Sequence, residues 1–327
     1  MKAISLFSGG LDSQLAVCLI KDQGIEVEGI NFVTPFFGAE ERTRQAARDL
    51  NIEYHCMDIG PDYMNVLKNP VYGYGKNFNP CIDCHAYMFK KAGEYMQETG
   101  ADFLISGEVM GQRPMSQNKS ALNAVDKLSG FRGLIVRPLS GQLMPATIPE
   151  TEGWIDRSKL LAISGRSRTE QMRLAEHYGI IDYPSPAGGC LLTQENFSKR
   201  LRKLLTLRPA ADASACEILK VGRHFYLNDD QLLVIGRNLN ENERLQELAN
   251  EHDYLFKVLD RPGPLGLLRP LRPEDQMDLE LAARIAARYS DARNEAIARV
   301  KISKLNVNED TILEIAPLPA EQVPPTI

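Results

Sequence analysis

Lys2-Ala3-Ile4-Ser5-Leu6-Phe7-Ser8-Gly9-Gly10-Leu11-Asp12-Ser13 is the stretch that decides the fold. Ala3 to Phe7 is a short apolar run with strand character, and it runs straight into Ser8-Gly9-Gly10-Leu11-Asp12-Ser13. From Gln14 to Lys21, the spacing of Leu15, Val17, Leu19 and Ile20 predicts a helix. A glycine-rich turn between a strand and a helix N-terminus is an anion site. Gly9 and Gly10 let the backbone approach a phosphate closely, while free N–H groups and the helix dipole face it. Ser8 and Ser13 add hydroxyl donors, and Asp12 can hold Mg2+ on the phosphates. No Gly-Lys-Ser/Thr follows, so this is not a Walker A loop. The plainer alternative is an ordinary strand–turn–helix connection.

The chain has 327 residues, enough for two domains with separate cores. Its 43% hydrophobic and 25% charged content fit a globular enzyme. No apolar run approaches a membrane span, and the N-terminus lacks the basic and apolar segments of a signal peptide, so a cytoplasmic protein is expected. A net charge of −5 argues against indiscriminate nucleic-acid binding but leaves room for a local basic face.

The first half alternates strand and helix. Strands are expected at Ala3–Phe7, Val27–Phe32, Tyr54–Met57 and Phe103–Ser106, with helices at Gln14–Gln23, Ala39–Leu50 and Ile82–Glu98. That rhythm predicts βαβ units, a mostly parallel sheet and helices on both faces. Ligands of such sheets sit beyond the carboxyl ends of the strands, where Ser8–Ser13 would lie. Lys68–Asn79 and Gly107–Ser120 read as irregular loops.

Asn79-Pro80-Cys81-Ile82-Asp83-Cys84-His85 is a second constellation. Two cysteines three apart at a helix start can turn both sulfurs toward one metal or cluster, and the helix N-terminus favours thiolate. A c-type haem would need an export route. A redox dithiol would be expected after the first strand. For zinc, His85 is a poor fourth ligand so close to Cys84. A cluster or sulfur-relay site completed by a distant cysteine remains, beside the plain reading of two incidental thiols.

Pro184-Ser185-Pro186-Ala187-Gly188-Gly189-Cys190 supplies such a cysteine. Prolines stiffen the approach and two glycines permit a tight bend just before the thiol, placing it for access. Cys18, Cys56 and Cys216 are expected to be packing residues.

Ser8-Gly9-Gly10-Leu11-Asp12-Ser13 resembles the PP-loop of the ATP pyrophosphatases, which implies an α/β, adenine nucleotide alpha hydrolase-like fold. Gly107-Glu108-Val109-Met110-Gly111-Gln112-Arg113-Pro114-Met115-Ser116-Gln117 is similar to a tract of the tRNA 4-thiouridine synthases, and Arg137-Pro138-Leu139 matches the triplet that follows it there. Asn-Pro-Cys-x-x-Cys resembles the tRNA 2-thiouridine synthases. The resemblance implies a PP-loop tRNA sulfurtransferase over residues 1–205, closest to the 4-thiouridine type. Two alternatives are a 2-thiouridine synthase and a PP-loop adenylating ligase for a small molecule. It implies ATP contacts at Ser8, Gly9, Gly10, Leu11, Asp12, Ser13, Gly107 and Gln112, with Asp12 and Cys190 at the chemistry. In relatives with this cysteine pattern three thiolates hold a 4Fe-4S cluster, which implies Cys81, Cys84 and Cys190 here. Zinc, or a persulfide on Cys190 alone, are the other options. Sulfur would come from a cysteine desulfurase or inorganic sulfide. The 4-thiouridine synthases' N-terminal tRNA-binding module and closing rhodanese domain are not seen, which leaves the tRNA position and the sulfur donor open.

In the second half, Leu219–Leu227 and Leu233–Asn238 read as paired strands around Asn228-Asp229-Asp230, with helices near Glu241–Glu251 and Asp278–Tyr289. The tracts Gly222-Arg223-His224-Phe225 and Gly236-Arg237-Asn238 are similar to the RNA-binding domain of the NFACT proteins. The resemblance implies a smaller α+β domain over 213–305 that grips tRNA through Arg223, His224, Arg237 and Asn238. A C-terminal tail follows at 306–327, and its proline-containing end, Pro317–Ile327, is expected to be frayed. Solvated arginines beside turn glycines are the plainer reading. Ser198–Leu205 is a basic amphipathic segment whose leucines at 201, 204 and 205 share a face, leaving Lys199, Arg200, Arg202 and Lys203 outward, either as a solvated face or to meet RNA phosphate.

Overall fold

Every strand expected in the first half forms, and the five strands there are all parallel. The structure, a computed structural model, describes residues 1–38, 41–184, 189–228, 230–272, 277–307 and 309–327. It divides into two compact units, Met1–Thr193 and Gln194–Ile327.

In the first unit the strands are β1 (Lys2–Leu6), β2 (Glu26–Val33), β3 (Glu53–Asp58), β4 (Phe103–Ser106) and β5 (Ile135–Val136). The helices are α1 (Leu11–Lys21), α2 (Glu41–Asp49), α3 (Gly60–Lys68), α4 (Cys81–Thr99), α5 (Lys119–Ser129), α6 (Ile148–Thr151) and α7 (Thr169–Tyr178). The sheet order is β3-β2-β1-β4-β5. Strand β1 therefore has β2 on one side and β4 on the other, with Ala3 opposite both Val27 and Phe103. The order reverses there, opening a crevice at the carboxyl ends of β1 and β4.

Helix α1 is apolar nearly all round because it is covered on two sides. Val17 and Ile20 join Ala3, Phe7, Val27 and Phe103 against the sheet, while Leu11, Leu15 and Leu19 pack with Leu174 and Ala175 of α7. The start of the expected helix at Ala39 lies outside the described residues; α2 opens at Glu41.

The second unit holds α8 (Glu195–Leu207), β6 (Arg223–Leu227), β7 (Gln231–Ile235), α9 (Leu239–Leu248), β8 (Tyr254–Val258), β9 (Gly266–Pro270), α10 (Leu279–Arg288), β10 (Ala298–Lys304) and β11 (Thr311–Ile315). Its sheet is antiparallel, in the order β11-β10-β8-β9-β7-β6. The alanine-rich face of α10 packs with Phe225, Leu233, Ile235, Phe256 and Val300. Asn228, at φ 51°, turns the β6–β7 hairpin.

Two boundaries differ from expectation. Helix α8, expected to close the first domain at residue 205, is part of the second unit, because Leu201 and Leu204 bury there rather than against the parallel sheet. The tail is not frayed. β11 pairs along β10, Leu318 is buried, and the Ile327 N–H donates to the His224 carbonyl at 3.2 Å.

Candidate functional site

At the end of β1 the chain turns at Gly9, whose φ is +70°. A Cβ on Gly9 would come within 2.9 Å of the Thr43 Cα, so only glycine fits. Thr43 Oγ1 donates to the Ser8 carbonyl at 3.2 Å, and Ser13 Oγ to the Gly10 carbonyl at 2.8 Å. Gly10 is the N-cap of α1 and no side chain caps it, which leaves the first turn's N–H groups for an anion.

Asp12 sits in that first turn. Gln112 Nε2 donates to its Oδ2 at 3.2 Å, while the buried Oδ1 has no protein partner. Burial pushes the carboxyl's pKa up, opposed by Gln112 and by the charges of Arg168 and Arg113. An orphaned carboxylate oxygen beside an uncapped helix end fits an octahedral Mg2+ shared with phosphates. Gln171 of α7 is fully buried beside Asp12, where it helps to lower the carboxyl's pKa. Sequence reading gave no signal for Gln171.

Gly107 follows β4 and lies flat on the PP-loop: a Cβ there would stand 2.3 Å from the Asp12 carbonyl carbon and 2.4 Å from the Ser13 nitrogen. Glu108 turns into the protein. His85 Nδ1 lies 2.7 Å from Glu108 Oε1, and Arg137 Nε donates to Oε2 at 2.8 Å. Arg137 also grips Asp126 at 2.7 Å and lies over the Phe89 ring. Burial opposes ionisation, yet Arg137 and His85 hold the Glu108 carboxyl down at about 2. The Arg-Pro-Leu arginine is thus an internal brace, and His85 serves Glu108 rather than a metal.

Cys81 and Cys84 open α4, at the same end of the sheet. Asn79 Nδ2 lies 3.1 Å from Cys81 Sγ, and the Cys84 N–H donates to the Pro80 carbonyl at 2.8 Å. Asp83 accepts from the Val71 and Tyr72 N–H groups, pinning the Lys68–Asn79 loop to the helix. Leu191 N–H donates to the Phe36 carbonyl at 2.9 Å, and Asn77 Nδ2 to the Thr193 carbonyl at 2.6 Å. These bonds bring Cys190 to the pair. Ser185 to Gly188, the expected stiff approach and first glycine, lie outside the described residues.

Cys84 has Cys190 and Cys81 beside it, Cys190 has Cys81, and the buried Tyr63 faces all three thiols. Burial pushes Cys190 up to about 11 and Cys84 further, the response of thiols held without a cation. Their sulfurs do not all lie within 4.8 Å of one another. A tetrahedral zinc with bonds of about 2.3 Å wants sulfurs only about 3.8 Å apart. Arg113 is an exposed residue of the Gly107–Gln117 tract. Cys18 and Cys216 are packing residues as expected, but Cys56 is exposed, because its face of the edge strand β3 is uncovered.

The RNA candidates separate in the second unit. Lys199 is exposed and paired with Glu195, and Arg202 is exposed. Arg200 turns inward instead, donating to the carbonyls of Leu219 and Ile327, and Lys203 lies over the Tyr226 ring. His224 is wholly buried, with Nε2 3.1 Å from the Ile218 carbonyl, which removes it from the candidate contacts. Arg237 is paired with Glu241, and Asn238 caps α9. Arg223 stays half-exposed over the Tyr289 ring.

An uncapped PP-loop at the switch point, facing a carboxylate and a group of three thiols, defines an ATP-dependent PP-loop enzyme. Residues 1–144 match the family model of the thiamine biosynthesis protein ThiI, and residues 222–326 that of the NFACT protein RNA binding domain. The tRNA-specific 2-thiouridylase MnmA of Marinomonas sp. (strain MWYL1) is 25% identical over 79% of this chain and 71% of that protein. The corresponding protein of Pseudomonas fluorescens (strain Pf0-1) is 23% identical over 87% and 81%. A crystal structure of a 4-thiouridine synthetase–RNA complex with bound ATP superposes with a TM-score of 0.38 at 22% identity, covering 54% of this chain and 40% of that one. The first part of the chain is thus similar to a tRNA-thiolation family and the second to an RNA-binding domain. Among the described residues no helix is long and apolar enough to cross a membrane.

Proposed function

We propose that this chain thiolates a uridine of tRNA in the cytoplasm, at the expense of ATP, and that the product is 4-thiouridine. The observation that carries this reading is Cys190, tied by the bonds of Leu191 to Phe36 and of Thr193 to Asn77 to the loop that leads into Cys81 and Cys84, at the end of the sheet that carries the uncapped PP-loop. A PP-loop ligase for a small molecule has no use for the three thiols.

In the first half-reaction the uridine carbonyl oxygen attacks the α-phosphorus of ATP and pyrophosphate leaves. The free N–H groups of α1, Ser8 and Ser13 receive the charge growing on pyrophosphate; Asp12 would hold a Mg2+ ion, which would offset that charge when bound. Gln112 fixes the Asp12 carboxylate. In the second half-reaction a sulfur nucleophile adds to the activated carbon, and AMP departs with the former carbonyl oxygen. Cys81, Cys84 and Cys190 would hold a 4Fe-4S cluster, which would supply the sulfur nucleophile when bound. Tyr63 shields the thiol side from water. A cysteine desulfurase or inorganic sulfide would provide the sulfur, and the second unit would hold the RNA.

A second product is favoured by one observation: the curated relatives that align over most of the chain are 2-thiouridylases. Nucleoside mass spectrometry of bulk tRNA from a strain lacking the gene, against its parent, tests both. Loss of 4-thiouridine supports the proposal, and loss of 2-thiouridine transfers the same chemistry to the other oxygen. Survival of every thiolated nucleoside, with no second enzyme to account for it, overturns tRNA thiolation.

A further inference from the structure

The second unit contains a cavity of about 550 Å³ whose walls include Arg223, Arg237, Arg288 and Arg293. It lies between the end of β7, the start of α9 and the end of α10, inside the segment that matches the RNA-binding family model. Only one of the four arginines is neutralised, Arg237 by Glu241. Among the described residues Arg223, Arg288 and Arg293 have no carboxylate within ion-pair distance, and the wall offers them only the carboxylate of Asp291. Guanidiniums crowded into one concavity repel each other, so the arrangement costs stability unless an anion enters.

The neighbouring helix end is not the attraction. The Asn238 side chain accepts from the Glu241 N–H, and Glu241 takes the Gly222 and Arg237 N–H groups. The anion must be met by side chains, and planar guanidiniums suit phosphate oxygens. Arg223 is already oriented, with its guanidinium 5.1 Å above the Tyr289 ring, which packs on Phe225. Arg288 is half-buried and Arg293 exposed, so charge runs from the cavity wall to its rim. The volume is within the range of small-ligand sites and suits one nucleotide with its phosphates.

We propose that this cavity seats a backbone phosphate of the RNA substrate, with Arg223, Arg288 and Arg293 as its ligands. The inference rests on the reading that the chain acts on tRNA. It assigns the grip to the far end of α10, which no motif marked, and not to His224.

The test is filter binding of an unmodified tRNA transcript to the full-length protein across a salt series, with Arg288→Gln, Arg293→Gln and the double variant. Arg299→Gln, on β10 and paired with Asp260, is the control. Each single change is expected to weaken binding about tenfold and lower the salt slope by about one, with Arg288→Lys retaining most of the affinity. Thermal melting checks that the variants stay folded. Wild-type binding with unchanged affinity and slope in the folded double variant overturns the proposal and leaves the tRNA reading intact. No wild-type binding overturns both. If inorganic phosphate or AMP binds here as tightly as the transcript, the cavity is a small-anion site and the proposal fails.

Discussion

Gly107 and Asp12 touch through their backbones, so closely that a single added carbon would stand 2.3 Å from the Asp12 carbonyl carbon. The glycine of the tract after β4 therefore sets the position of the nucleotide loop after β1. Gly107→Ala must push the PP-loop aside or fail to pack. Pyrophosphate release from ATP in the presence of tRNA is expected to fall at least about a hundredfold, the scale of a 1 Å misplacement of reacting groups.

Asp12→Asn keeps the shape and Gln112's neighbourhood but removes the charge that would face Mg2+. Pyrophosphate release should drop by about a hundredfold or more, with protein stability unchanged or raised, since burial already disfavours the carboxylate. Near-wild-type turnover would show that Asp12 does not hold the metal.

Cys190→Ser separates the two half-reactions. ATP should still be converted to pyrophosphate while thiolated nucleoside disappears. Cys81→Ser and Cys84→Ser should each strip iron and acid-labile sulfide from anaerobically purified protein. Stoichiometric zinc without iron in the wild-type protein would refute the cluster.

Arg137→Met leaves Glu108 and Asp126 without their shared cation. Breaking a buried pair of this kind costs about 3–5 kcal/mol, readable as a lower urea midpoint with an unchanged slope. An exposed brace would lose under about 1 kcal/mol.

His224 predicts a pH dependence for the second unit. Burial lowers its pKa to about 3, against about 6.5 in the unfolded chain. Between these values the unfolded state holds a proton that the native state refuses, so stability is complete above about 6.5 and falls as pH drops below it. The slope is at most about 1.4 kcal/mol per pH unit. Urea unfolding at pH 7 and pH 5 should show this loss, and His224→Gln should flatten it.

The parallel sheet was legible because βαβ periodicity and the glycine loop are local signals. Arg137 was quoted from a motif without a role, since a buried brace and a ligand look alike in one dimension. Gln171 and Arg168 reach Asp12 only through the packing of α7 on α1, which no spacing encodes. Arg200 and His224 misled for one reason: polar residues read as outward were pulled in by free carbonyls, those of Leu219 and Ile327 for Arg200 and of Ile218 for His224. The tail's composition hid its pairing with β10.

The three thiols come from positions 81, 84 and 190, and Cys190 is held by bonds to Phe36 and, through Thr193, to Asn77. A growing polypeptide completes its nucleotide loop and all five of its described parallel strands well before the third sulfur emerges from the ribosome. Whatever loads that triangle must therefore act on a nearly finished first unit, and a chain that stalls in synthesis before Cys190 could bind nucleotide yet never carry the complete sulfur centre.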